Sequence, residues 1–164
     1  MRVFGVVGWK NCGKTGLVER LVAEITARGH SVSTVKHAHH AVDVDQPGRD
    51  SHRHRTAGAR EVLLASGRRW ALMHELRDLP EPPLPELLEK LAPVDLVLVE
   101  GYKRDAHPKI EAHRAAAGQP LIADTDDSVR AIASDVPLPG ARVPVFDLDD
   151  TAGLAAFLLR ETGL

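Results

Sequence analysis

Hydrophobic positions in this chain change period repeatedly, and each change marks an element. The run Val3-Phe4-Gly5-Val6-Val7 is apolar and short, the signature of a buried strand. Leu17, Val18, Leu21, Val22 and Ile25 then fall on one helical face, and Gly29 stands where that helix should stop. A short strand is expected over 31–36 around Val32 and Val35, followed by a polar loop over 37–51 with the turn pair Pro47-Gly48. After a short helix over 52–58, two β-type runs at 62–65 and 70–73 predict a hairpin or two neighbouring strands. The proline-rich stretch 80–85 reads as a linker too short to divide domains, and it leads into a helix over 86–91. Residues 95–101 form the most hydrophobic run, expected as a central strand. Further strands are predicted at 109–111, 129–133 and 143–146, then a last helix capped by Asp149, Asp150 or Thr151 with Leu154, Phe157 and Leu158 inward. Strands alternating with helices predict an α/β fold whose sheet is mainly parallel and flanked by helices, with its ligand at the C-terminal edge of the strands.

Between the first strand and the first helix lies Gly8-Trp9-Lys10-Asn11-Cys12-Gly13-Lys14-Thr15, which matches the phosphate-loop pattern G-x-x-x-x-G-K-[ST]. Glycines let backbone N–H groups curl around phosphate oxygens without a Cβ in the way. The helix start adds unpaired N–H groups and the positive end of its dipole. Lys14 supplies a point charge for the β- and γ-phosphates, and the Thr15 hydroxyl is a Mg²⁺ ligand of the pattern. The fold class is therefore a P-loop nucleotide-binding fold, with residues 1–164 expected to form one domain.

Composition narrows the rest. An apolar share of 43% and a charged share of 27% are those of an ordinary globular domain. The net charge of −2 and the absence of a Lys/Arg run give nucleic acid no electrostatic footprint. No apolar stretch reaches membrane-spanning length, and the immediate strand and loop leave no room for a signal peptide. One cysteine, Cys12, excludes an internal disulfide and suits a cytoplasmic location. Its place before a helix start would favour a reactive thiolate, but filler at a free motif position is the simpler reading.

Glu100 ends the hydrophobic run where phosphate-loop proteins place the carboxylate that faces Mg²⁺, and Gly101 would let backbone approach a γ-phosphate. The block Lys36-His37-Ala38-His39-His40, with Asp43, Asp45 and Asp50 after it, is unusual. Adjacent His39 and His40 without cysteines argue against a closed zinc site, whereas Asp45 or Asp50 is a candidate Mg²⁺-linked carboxylate. Lys103 on the loop after Gly101 is a candidate contact for an anion or a partner subunit. No N-K-x-D base-reading motif occurs; Asp124, Asp126 and Asp135 are candidate acceptors for a guanine.

Taken in order, several segments resemble one family: the phosphate loop, Val35-Lys36-His37-Ala38-His39-His40, Asp43-Val44-Asp45-Gln46-Pro47-Gly48-Arg49-Asp50-Ser51, Ala57-Gly58-Ala59, Arg69-Trp70-Ala71-Leu72-Met73, Leu98-Val99-Glu100-Gly101-Tyr102-Lys103 and Ala131-Ile132-Ala133-Ser134-Asp135. The chain resembles the molybdopterin-guanine dinucleotide biosynthesis protein B (MobB) family over roughly residues 2–160, and the K-H-x-H-H…D-x-D-x-P-G-x-D-S block is the specific part. The resemblance implies a homodimeric protein that binds GTP with Mg²⁺ and assists the guanylyltransferase joining GMP to molybdopterin. It implies phosphate binding by residues 8–15, a metal role for Thr15 and Glu100, a responsive loop over 36–51, and Asp135 near the guanine. Tyr102 stands where that family often has phenylalanine, and Asn11 and Cys12 replace smaller loop residues.

These residues leave three functions to weigh. The first is a GTP-binding accessory protein of molybdenum-cofactor assembly with weak hydrolysis at most, because nothing clearly positions a water or supplies an arginine finger. The second is a small-molecule kinase using Lys103 or the histidine-rich loop to hold an acceptor. The third is a metal-insertion GTPase built on His37, His39 and His40. No residue is assigned a catalytic role.

Overall fold

The computed structural model describes residues 1–38 and 43–164. His39 and His40 lie outside the described residues, so the histidine cluster is seen only through His37. The chain forms two compact units, one of residues 1–37 with 84–164 and one of residues 38–83.

The larger unit is built on six strands: β1 (Arg2–Val7), β2 (Val32–Lys36), β5 (Leu96–Glu100), β6 (Lys109–His113), β7 (Val129–Ser134) and β8 (Val145–Asp147). Their order is β2-β5-β1-β6-β7-β8 and every pairing is parallel. All six C-terminal ends therefore share one edge. β5 is buried along its whole length between β1 and β2, which is why its sequence is a continuous apolar run rather than an alternating one.

Helices α1 (Lys14–Ala27) and α4 (Thr151–Thr162) pack with the sheet around Phe4, Val6, Leu98, Ile110, Ala131 and Ala133. Leu17, Leu21 and Ile25 of α1 are fully buried, and each such burial stabilises by about 2 kcal/mol. The N-cap of α1 is Gly13, which has no side chain to cap the helix. Packing therefore holds this helix and leaves its first N–H groups free for a ligand. Helix α4 has the opposite arrangement: Asp150 Oδ1 accepts the Gly153 N–H at 2.9 Å. The other face of β5 covers Leu84, the first residue of α3 (Leu84–Leu88), through Val97 and Val99.

The smaller unit contains α2 (Asp50–Thr56) and an antiparallel hairpin of β3 (Glu61–Ala65) and β4 (Trp70–His74). Among the described residues no helix is long and apolar enough to cross a membrane.

His107, on the loop between β5 and β6, has both ring nitrogens buried and without a hydrogen-bond partner among the described residues. Gly5 makes room for it, since a Cβ there would stand 2.5 Å from His107 Nε2. Burial first, then the nearby Lys109 ammonium, hold the imidazole below its ordinary pKa of 6.5. The unfolded chain therefore takes up this proton first as pH falls. The contribution is fully present above pH 6.5 and is lost as pH drops from there through the folded-state pKa. Urea midpoints measured between pH 7.5 and pH 5 should fall, and His107→Phe should flatten that slope; equal slopes in both proteins would contradict the assignment.

Candidate functional site

The loop between β1 and α1 is shaped by glycine. Gly8 has φ +147°, and a Cβ there would collide with the Ala112 carbonyl oxygen of neighbouring β6. Gly13 has φ +86° and Asn11 φ +67°, the latter tolerable because asparagine enters the left-handed region more readily than most residues. Trp9 anchors the loop by donating its indole N–H to the Pro120 carbonyl at 2.8 Å, and Lys14 Nζ donates to the Trp9 carbonyl at 2.7 Å. Lys10 and Asn11 are exposed on the outer turn. The Cys12 side chain is 1% exposed and packs inside the loop, which favours filler over a reactive thiolate.

Across the sheet, Glu100 closes β5 one strand from β1. Thr15 Oγ1 donates to Glu100 Oε1 at 2.9 Å. Lys36 Nζ, at the end of β2, lies 3.3 Å from both oxygens. A hydroxyl and a largely buried carboxylate thus converge and already attract a cation. That donor set suits a hard divalent ion such as Mg²⁺. Gly101 follows with φ +98°, and a Cβ there would meet His37 Cβ at 3.0 Å. Tyr102 has φ +50° and its ring centroid lies 4.7 Å from that of His37. Lys103 does not reach outward as a free cation: its Nζ sits 4.1 Å from the centroid of the Trp9 ring. Burial first, then the Lys14 charge, lower its pKa from the ordinary lysine value.

A cavity of about 470 Å³ opens at the start of α1, lined by Asn11, Gly13, Lys14, Thr15, Gly16 and Arg114. A second, of about 550 Å³, lies at the ends of β7 and β8, where Asp135 and Asp147 meet an apolar wall including Leu138 and Phe146. Asp135 Oδ1 accepts the Ala115 N–H at 2.9 Å. Asp126 precedes β7 and is committed to Lys109 and Ser128; Asp124 also lies before β7 rather than at its end.

The structure therefore brings together residues 8–15, Glu100, Gly101 and Lys103, and puts Asp135 on the same sheet edge two strands from β1. Asp45 belongs to the smaller unit. Its carboxylate accepts from Ser51 Oγ at 2.8 Å and Arg55 Nε at 3.1 Å, and Ser51 leads in holding its pKa below the ordinary carboxylate value. Among the described residues no three His, Cys, Asp or Glu side chains cluster to hold a metal ion. Sequence reasoning missed Arg114 and the position of Lys36. The signal available for both was their place immediately at or after a strand end.

Comparison with known proteins identifies the family. The family model described as "Molybdopterin guanine dinucleotide synthesis protein B" matches residues 3–135. The chain is 42% identical over 154 residues to the molybdopterin-guanine dinucleotide biosynthesis adapter protein of Escherichia coli K12, covering 92% of this chain and 87% of that one. It is 39% identical over 162 residues to the protein of the same name from Haemophilus influenzae, covering 95% and 86%. A crystal structure of a MobB homologue from Bacillus stearothermophilus superposes with a TM-score of 0.70 at 32% identity, covering 99% of both chains. Bacillus subtilis MobB gives a TM-score of 0.78 at 23% identity over 99% of this chain and 98% of that one, a likeness of fold. With the phosphate loop, the parallel sheet and this similarity along nearly its whole length, the chain belongs to the MobB family.

Proposed function

We propose that this protein is a GTP-binding adapter in molybdenum-cofactor biosynthesis, assisting the guanylyltransferase that attaches GMP to molybdopterin. The observation that carries the reading is the convergence of Thr15, Glu100 and a cation at the open start of α1. Residues 8–15 bind the triphosphate, with Lys14 on phosphate oxygens and Gly101 giving close backbone approach. Thr15 and Glu100 hold Mg²⁺, which neutralises phosphate charge when bound; Lys36 then gives up its place between them. Asp45 is a weaker metal candidate, because coordination there competes with Ser51 and Arg55.

Asp135 reads the guanine at the ends of β7 and β8. Its carboxylate suits the N–H edge of that base, and the apolar wall suits the ring face. The chain works as one functional domain, as a homodimer in the cytoplasm, with molybdopterin itself a further candidate ligand. Hydrolysis is weak at most. The kinase reading gains nothing from Lys103, which is held over Trp9. The metal-insertion reading gains nothing from the described residues, and the adapter name of the relatives favours neither.

The experiment is reconstitution. Adding the purified chain with GTP and Mg²⁺ to the guanylyltransferase and molybdopterin should raise the yield of the guanine dinucleotide. An identical yield with and without the chain would count against the adapter role.

A further inference from the structure

Arg114 follows β6, the strand beside β1 on the side away from β5. Both of its neighbours are pinned. His113 Nδ1 lies 2.9 Å from Ser134 Oγ, and the Ala115 N–H is held by Asp135 Oδ1. Its side chain turns toward the phosphate loop: a Cβ at Gly13 would stand 3.2 Å from Arg114 Nε and 3.5 Å from Nη2. A side chain at position 13 would crowd the guanidinium, and glycine accommodates so close an approach. The guanidinium lines the same cavity as Lys14 and Thr15.

Arg20 and Arg55 are satisfied by contrast. Arg20 donates to the Leu148 carbonyl and the Thr151 hydroxyl, and Arg55 meets three carboxylates. Arg114 has no side-chain hydrogen bond or ion pair among the described residues. A planar fork of five donors thus stands beside a second cation, Lys14, with nothing to accept from it. An anion in the cavity would complete both.

We propose that Arg114 is a second cation of the nucleotide site, donating its guanidinium N–H groups to oxygens of the phosphate chain alongside Lys14. The proposal rests on the nucleotide reading above and adds to it a residue outside the loop motif. Its charge is supplied by the residue directly after the chain's own β6, so no partner is needed to bring it in.

Calorimetric titration of Arg114→Ala, Arg114→Gln and Arg114→Lys with GTP, GMP and pyrophosphate in Mg²⁺ tests it. Arg114→Ala should lose about tenfold or more in GTP affinity, the value of a charge-assisted hydrogen bond. Arg114→Lys should recover only part, because an ammonium lacks the fork. The loss should shrink at high salt and should be larger for GTP than for GMP, which a merely structural role would not produce. Thermal melts should match wild type because the side chain is exposed; if the alanine variant melts early, Arg114→Gln carries the comparison. GTP affinity within twofold of wild type in the folded variant overturns the proposal. If the wild type binds no GTP, the nucleotide reading fails separately. Pyrophosphate then decides: binding lost in the variants supports Arg114, and binding absent or unchanged overturns it.

Discussion

Lys14→Ala should weaken GTP binding about 100-fold, the loss of about 3 kcal/mol of charged contact with two phosphates. The fold should survive. Lys14 is half-buried at the loop rather than in the core, and among the described residues its side chain makes one hydrogen bond, to the Trp9 carbonyl. The Trp9 indole anchor to Pro120 and the buried face of α1 both remain. The thermal midpoint should therefore move little. The check is a binding titration paired with a melt. Unaltered GTP affinity in a folded Lys14→Ala protein would show that the loop does not hold the triphosphate through this residue.

Lys109→Met should act in the opposite way, costing stability before binding. Lys109 is fully buried at the start of β6, and its Nζ donates to the carbonyls of Lys103 and Asp105 at 3.3 and 2.5 Å. It also meets Asp126 Oδ2 at 3.3 Å, a carboxylate whose side chain is 26% exposed. Methionine retains the stem and removes the ammonium, leaving two carbonyls and a carboxylate without their donor. Breaking a fully buried pair costs 3–5 kcal/mol; the partial exposure of Asp126 reduces this to about 2–3 kcal/mol. In a chain of this size that lowers the melting temperature by roughly 5–10 °C. The loop over 101–108, which carries Lys103 to the Trp9 ring, should loosen as well. Differential scanning calorimetry tests the stability, and a shift under 2 °C would contradict the account.

Much of the architecture was legible because its causes are local. The strand before the phosphate loop, the helix after it, the buried run of β5 and the hairpin of β3 and β4 follow from period and turn residues. The errors also have local causes. The helix expected over 86–91 begins at Leu84, because Pro85 in the first turn needs no N–H partner there. The strand expected over 143–146 is paired only over Val145–Asp147, since Pro144 has no N–H to give the ladder, although its carbonyl accepts from Ile132. Strand order was not legible. That order decides which strand ends flank the loop, so Arg114 beside Gly13 and Lys36 between Thr15 and Glu100 emerged only from the fold. Thr15 and Glu100 are 85 residues apart, and a sequence pattern carries no distance between them.

The central claim is that the open start of α1 holds GTP with Mg²⁺ between Thr15 and Glu100. Calorimetric titration of the purified chain with GTP and with ATP, each with and without Mg²⁺, tests it most directly. Tighter binding of GTP than ATP, strengthened by Mg²⁺, is the predicted result. A preference for ATP, or GTP binding indifferent to Mg²⁺, would contradict it.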